Sequence, residues 1–404
     1  MLHRDLTCRT ALLFGLLLWA SACSSEGSAD GYLAPVDPGP GGILFTASGQ
    51  IPSIAGYAFP PASSGDPAFV DGWQIAFSRI LVTFDEITLS EMPDLAAGDQ
   101  SQTGKLVAEV DGPWAVDLAH RDSTDVEGEG PPGEVGVPIT ALNGQNLNGN
   151  RPFATDGTRY AFGFQVVAAS ATASAVNLDA AAATDYQQMT QDGCSVLYVG
   201  TATFKGGSVA GYTSCNAGHD GWPGTVSFHL CFKSPASFAN CQNPENDPAA
   251  PLAGEDSQRG IAFLDSDSVT GQITMLPDQP FWDSVLPGSP AHFDQFAARV
   301  VGQAGQQTPT VTLEMTEGVD FAAYTDAQGN PISWRDCMPP PTDAHDAFSG
   351  PMAFDAEYVP RATNGDPATG LRDYYDFATY NQSTQWYLNE DGLCAVARNY
   401  PSPP

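Results

Sequence analysis

Beyond the first 22 residues the chain carries five histidines: His120, His219, His229, His292 and His345. Three of them stand next to an acid, in His219-Asp220, His292-x-Asp294 and His345-Asp346. A carboxylate placed in this way either ligates a metal beside the imidazole or fixes the ring from its other nitrogen. His219 and His229 also fall within a cysteine-rich block. The metal-ligating set the sequence offers is therefore His219, His229, His292 and Asp294, donors suited to copper or zinc. The competing reading is a set of exposed or hydrogen-bonded structural side chains. FLDSDSVTG, with Asp265 and Asp267, resembles half of a calcium loop and lacks the Gly and Glu that complete one.

A second candidate is aromatic. Tyr57 and Phe59 in a long Pro- and Ser-rich loop, with Trp222 in CNAGHDGWPG, would make a platform for a carbohydrate or peptide if they face solvent. If they do not, they pack the loop onto its own body. Other chemistries lack their signatures. The chain has no G-x-S-x-G elbow, no H-E-x-x-H, no Gly-rich phosphate loop and no dinucleotide fingerprint, so no catalytic residue and no cofactor is identified. Paired carboxylates for glycosidic cleavage stay open, because any of the 47 acids could face another across a cleft.

The cysteines speak for export. Cys194, Cys215, Cys231, Cys241, Cys337 and Cys394 are even in number and include no CxxC pair, which favours disulfides over a zinc site. Pairing of neighbours in sequence is expected: Cys194 with Cys215, Cys231 with Cys241, Cys337 with Cys394. The N-terminal run MLHRDLTCRTALLFGLLLWASACSSE has a basic start, an apolar stretch from Ala11 to Trp19 that is too short to span a bilayer, and small residues before Cys23. It resembles a bacterial lipoprotein signal, with residues 1–22 removed and Cys23 acylated. Position −3 is Ala20, where such signals usually have Leu. By the same resemblance, Ser24 after the acylated cysteine implies the outer membrane, on its periplasmic face or at the cell surface. A plain secretion signal cut near Ala22 and a buried core helix are the alternatives.

A formal charge of −32 repels phosphate backbones, so nucleic acid is excluded as a partner. The acids are dispersed along the chain, as on a solvated surface, though such a field also favours multivalent cations.

Residues 23–42, mostly Ser, Gly, Asp and Pro, read as a flexible tether. The clearest periodic signal is WQIAFSRILVTFDEITLS, Trp73 to Ser90, where apolar residues alternate with two phase slips; it predicts strand, bulge, strand, turn, strand. ILFTASGQ, KLVAEVDGPWAVDL, RYAFGFQVV, SVLYVGTATF, TVSFHLCF, QITML and TPTVTLEM predict further strands. One helix is expected from Leu178 to Gln191, capped by Asn177 and closed by Gly193. Another is expected after Ser289, and a helical tail after Gly365 running to Cys394. The fold class is mainly β with α+β additions: an antiparallel β-sandwich core, a few short helices and a helical C-terminal tail. The expected organisation is a β-sandwich subdomain over 43–170 and a disulfide-containing α+β subdomain over 171–404.

The VDGWQIAFSRILVTFDEITLSE stretch, with the leader ahead of it, resembles uncharacterised cell-envelope lipoproteins of Gram-negative bacteria that carry a transthyretin-like β-sandwich module. The resemblance implies a binding or structural role in the envelope, a membrane partner through the lipid, and a protein or carbohydrate ligand. The alternative is a copper or zinc protein, or a metal-dependent envelope enzyme, built on the histidines.

Overall fold

The computed structural model describes residues 38–63, 65–143, 154–206, 221–246, 250–303, 308–338, 350–357, 359, 361, 370–384 and 386–398. The leader, Cys23, most of the tether, Cys215, His219 and His345 lie outside them. In chain order the elements are β1 (Ile43–Ser48), α1 (Gln50–Ala55), β2 (Trp73–Ser90), β3 (Leu106–Val110), β4 (Trp114–Asp117), β5 (Val126–Glu127), β6 (Val135–Leu142), β7 (Asp156–Val166), β8 (Ser174–Ala175), α2 (Ala180–Asp192) and β9 (Val196–Phe204). They continue with β10 (Thr225–Phe232), β11 (Ala236–Ala239), β12 (Ile261–Leu264), β13 (Val269–Met275), α3 (Asp294–Ala297), β14 (Thr310–Thr312), α4 (Tyr374–Gln382), β15 (Trp386–Leu388), β16 (Gly392–Leu393) and β17 (Ala395–Arg398).

The protein is mainly β, with a few short helices. One sheet runs β16-β15-β13-β1-β6-β5, and a larger one is built along β14-β10-β9-β2-β7-β11-β17. Apolar faces of the two sheets meet, as where Phe45 of β1 stacks on Phe162 of β7 with ring centroids 6.0 Å apart. The sheets are mixed, since β1 pairs with β13, β10 with β14 and β4 with β8 in parallel. Both sheets take strands from either side of residue 170: β1 and β6 lie with β13 and β15, while β2 and β7 lie with β9, β10 and β11. The expected halves 43–170 and 171–404 thus share their sheets.

β2 is the spine of the larger sheet, its first half paired with β9 and its second with β7. The two phase slips coincide with irregularities in its pairing with β9 and β7, between Phe77 and Arg79 and between Asp85 and Thr88. A bulge restores the apolar face after each slip, so no turn is needed and the strand runs unbroken for 18 residues. β6 has no clear signal in the sequence because Pro138 interrupts it. Pro138 pairs with Thr46 at a register shift in β1, where a missing N–H is tolerated.

α2 starts two residues later than expected. Asp179 accepts the N–H groups of Ala181 and Ala182 and is the cap. Asn177 is occupied elsewhere, accepting from Asp117 N and donating to Asp117 O. Gly193 closes the helix in the left-handed region, as expected. The helix expected after Ser289 shrinks to α3 with a 3-10 turn over Ala298–Val300. Among the described residues the tail is helical over α4 alone, capped by Asp373, and then turns into β15, β16 and β17. Its aromatics Tyr374, Phe377, Trp386 and Tyr387 are buried in the body.

The neighbour pairings of cysteines are corrected. Between described residues the disulfides are Cys194–Cys231 and Cys241–Cys394. Cys337 is also disulfide-bonded, to a partner outside the described residues and therefore not to Cys394. Strand register decides this. β9 and β10 pair with Leu197 opposite Cys231, which brings Cys194 to that end of the hairpin; β11 and β17 pair with Ala239 opposite Ala395, which brings Cys241 to Cys394.

Candidate functional site

The structure draws some of the sequence candidates together but turns them inward. His292 is fully buried, its ring against Trp334 at 4.3 Å, with Nε2 3.6 Å from Asp283 Oδ2. Asp294 is buried too, and its carboxylate is already committed. Oδ1 accepts from Trp73 Nε1 at 2.8 Å and from Arg335 Nη2; Oδ2 accepts from Arg335 Nε at 3.0 Å. The Arg335 guanidinium lies 3.9 Å from the centroid of Phe204 and 5.8 Å from that of Trp222. Behind this pair, buried Asp71 accepts the N–H groups of Phe293 and Asp294. Burial pushes the Asp71 carboxyl up to about 7; repulsion from Asp294 adds to this, and His292 and Arg335 oppose it.

The network ties the 71–73 segment, α3 and Arg335 into one buried block. Freeing Asp294 for a metal would strand the buried Arg335 charge, at a cost of about 3–5 kcal/mol. His229 sits in β10 opposite Val199 and Thr312. Among the described residues no group of three or more His, Cys, Asp or Glu side chains is placed to hold a metal. His219 lies outside those residues.

The aromatic platform is corrected as well. Tyr57 and Phe59 are buried. Tyr57 meets Phe69 edge-on at 5.2 Å, and Phe59 packs with Cys337. Half-buried Trp222 lies against the core beside Arg335. These rings fasten their loops to the body.

A different cluster gathers at the β5–β6 turn. Glu129 and Glu134 come from that turn, Glu245 from the segment after β11, and Glu390 from the β15–β16 turn, where Asn389 (φ 45°) and Glu390 (φ 79°) are both left-handed. Asn tolerates that region; for Glu it is uncommon. Buried Gln272 of β13 organises the group. Its Nε2 donates to Glu134 Oε1 at 2.8 Å, its Oε1 accepts from Glu129 N at 3.1 Å, and its backbone N donates to Asn389 Oδ1 at 2.8 Å. Asn389 Nδ2 in turn donates to Glu245 Oε2 at 3.0 Å. Glu390 N donates to Thr274 Oγ1, and Glu390 Oε2 accepts from Gln50 Nε2 at 3.4 Å.

Two carboxylate pairs result. Glu134 Oε2 and Glu390 Oε1 meet beside the Cα of Gly130, where a Cβ would fall 2.1 and 1.7 Å from them. Both oxygens are buried, and the two carboxyl groups are hydrogen-bonded to each other side chain to side chain. Burial, then the facing Glu134, pushes the Glu390 carboxyl up to about 8. Burial, then Glu129, pushes Glu245 up to about 7. This site is absent from the sequence reading. VEGEGPPGE is acidic and Gly-rich, but nothing local connects it to Glu245 or to Asn389 and Glu390.

The chain matches no protein-family model, and neither curated proteins nor solved structures give a significant match.

Proposed function

We propose that this chain is a lipid-anchored module of the bacterial cell envelope, held at the outer membrane through Cys23, whose β body serves as a non-catalytic binding or structural unit. The observation that carries the reading is the oxidised state of the cysteines. Cys194–Cys231 and Cys241–Cys394 close loops of 37 and 153 residues. Such bonds form and persist in exported proteins and are rare where thiols are kept reduced. The leader and the small residues before Cys23 supply the matching address. The resemblance of the β2 region to envelope lipoproteins with a transthyretin-like module agrees with it, as does a two-sheet β body. A protein or carbohydrate is the ligand class in keeping with this reading; the −32 charge disfavours nucleic acid.

The test is Cys23→Ser, expressed in a Gram-negative host with labelled fatty acid. The variant is expected in the soluble periplasmic fraction without label, while the parent stays in the outer membrane. Persistent membrane association of the variant would overturn the anchor.

A further inference from the structure

We propose that the end of the body where the tether enters carries an apolar face that rests on a zwitterionic lipid bilayer. The inference rests on the reading of Cys23 as a lipid anchor. Seven large apolar side chains are exposed among the described residues, and four of them, Met92, Leu95, Leu106 and Leu264, lie at one end of the larger sheet. Leu106 of β3 pairs with Ser90 of β2, Ser90 with Ala161 of β7, and Arg159 of β7 with Ala262 of β12, two residues before Leu264. Tyr160 and Phe162 alternate with Arg159 and Ala161 along β7 and are buried in the core, so Arg159 is on the outer face. There it lines a depression of about 350 Å³ together with Met92, Pro93, Asp94 and Leu95 of the turn after β2.

That turn is held so that its apolar side chains stay out. Asn240 Nδ2 donates to Pro93 O at 2.8 Å, and buried Arg259, paired with Glu255, donates from Nη1 to Pro93 O at 3.2 Å and to Ala96 O at 3.0 Å. Asp94 pairs with Arg159. Met92 is in the left-handed region at φ 55°, which is uncommon for a side chain of its size. A turn pinned from inside the body does not fold its side chains away. Met92, 56% exposed, and Leu95, 48% exposed, are thus presented outward, as at surfaces that meet a membrane or a partner.

The entry point of the chain favours the membrane. Gly41 N donates to Asp267 O at 2.9 Å and Val269 N to Gly42 O at 3.0 Å, while Asp267 N donates to Leu264 O at 3.4 Å. The tether therefore joins the body beside the apolar face. Residues 23–37 precede the first described residue, and a Ser- and Gly-rich chain of that length has an r.m.s. span of about 20 Å. An anchor at Cys23 keeps this end against the bilayer and supplies, as effective concentration, what four half-exposed side chains lack in affinity. Acids rim the face, Asp94, Asp156, Asp265 and Asp267 among them, so an anionic lipid surface is repelled and a bilayer without net charge is suited to it.

The experiment couples the mature, oxidised chain through Cys23 to a maleimide phospholipid in phosphatidylcholine vesicles. Sulfoxide formation at each methionine is followed by peptide mass during exposure to hydrogen peroxide, with the Cys23→Ser chain free in solution as reference. Met315 is the internal control, being 40% exposed and placed just beyond β14, four strands from β7. Expected is a severalfold slower oxidation of Met92 on the vesicles with Met315 unchanged, and loss of that protection in the double variant Leu95→Glu/Leu264→Glu, whose positions are exposed. Equal Met92 rates on vesicles and in solution, equal protection of Met315, or protection that survives the double variant would each overturn the proposal. Coupling sets the tether in place whether or not a cell acylates Cys23, so this outcome is separate from that of the labelling test of the anchor.

Discussion

Asp71 Oδ2 accepts the backbone N–H of Asp294 at 2.7 Å across 223 residues of chain, and that of Phe293 at 2.6 Å. One carboxylate thus closes the start of α3 while lying next to a second buried carboxylate, which Arg335 neutralises. Asp71→Ala leaves two buried donors without an acceptor, at a cost of about 1–3 kcal/mol each. Asp71→Asn keeps an acceptor and removes the repulsion with Asp294. The alanine variant should therefore lower the urea midpoint clearly more than the asparagine variant.

Asp71 and Asp117 set a pH dependence whose sign follows from the direction of their shifts. Burial raises Asp71 to about 7 and Asp117 to about 6. Both are near 3.9 in the unfolded chain, so between about pH 4 and 7 the folded state binds protons that the unfolded state has released. Their contribution is fully present below about pH 4 and is lost as the pH rises through their folded values. Tm should fall from pH 5 to pH 8. A rise over that range would contradict this account.

Arg335→Ala removes the partner of fully buried Asp294 and the cation resting on Phe204. A cost of about 3–5 kcal/mol is expected for stranding such a charge. Arg335→Lys should recover little of it, because an ammonium lacks the planar fork that meets both oxygens. Trp73 donates to the same carboxylate, so its fluorescence should report the loss at temperatures where the fold persists.

Cys241–Cys394 spans 153 residues and closes the tail onto β11. The chain-entropy relation gives about 5 kcal/mol for a loop of that length. Cys394→Ala should lower Tm more than Cys231→Ala, whose bond spans 37 residues. Truncation at Gly370 removes α4 and β15 together with the bond and should abolish the cooperative transition in an oxidising compartment.

How much of this could be read from the chain alone depends on how local the cause is. The alternation of Trp73, Ile75 and Phe77, then Ile80, Val82 and Phe84, marks β2 because burial of one face is a property of each residue in turn. Gly193 marks the end of α2 for an equally local reason. Asn177 and Asp179 are both plausible caps two residues apart; a tertiary contact to Asp117 chose between them. The tail misleads because its acids and aromatics recur at helical spacing, whereas β15, β16 and β17 are too short to show a period of two. Disulfide partners follow strand register, which sequence distance does not encode. His292 and Asp294 are close in space as in sequence, yet the sequence gives no hint that Trp73 and Arg335 already occupy the aspartate. The four glutamates come from three distant segments, and only folding assembles them.

Ile43 at the start of β1 pairs with Val269, and β1 is an inner strand of its sheet, between β6 and β13. A polypeptide leaves the ribosome, and crosses a membrane, with its N-terminus first. The edge of β1 that β13 will cover therefore emerges long before its cover is made, and it must wait as an open row of amide and carbonyl groups. Pairing over such a separation is slow, and an unpaired edge is a template for association between chains. During biogenesis this protein should depend on a holdase at the site of emergence, and its yield should fall with expression rate more steeply than its stability alone would suggest.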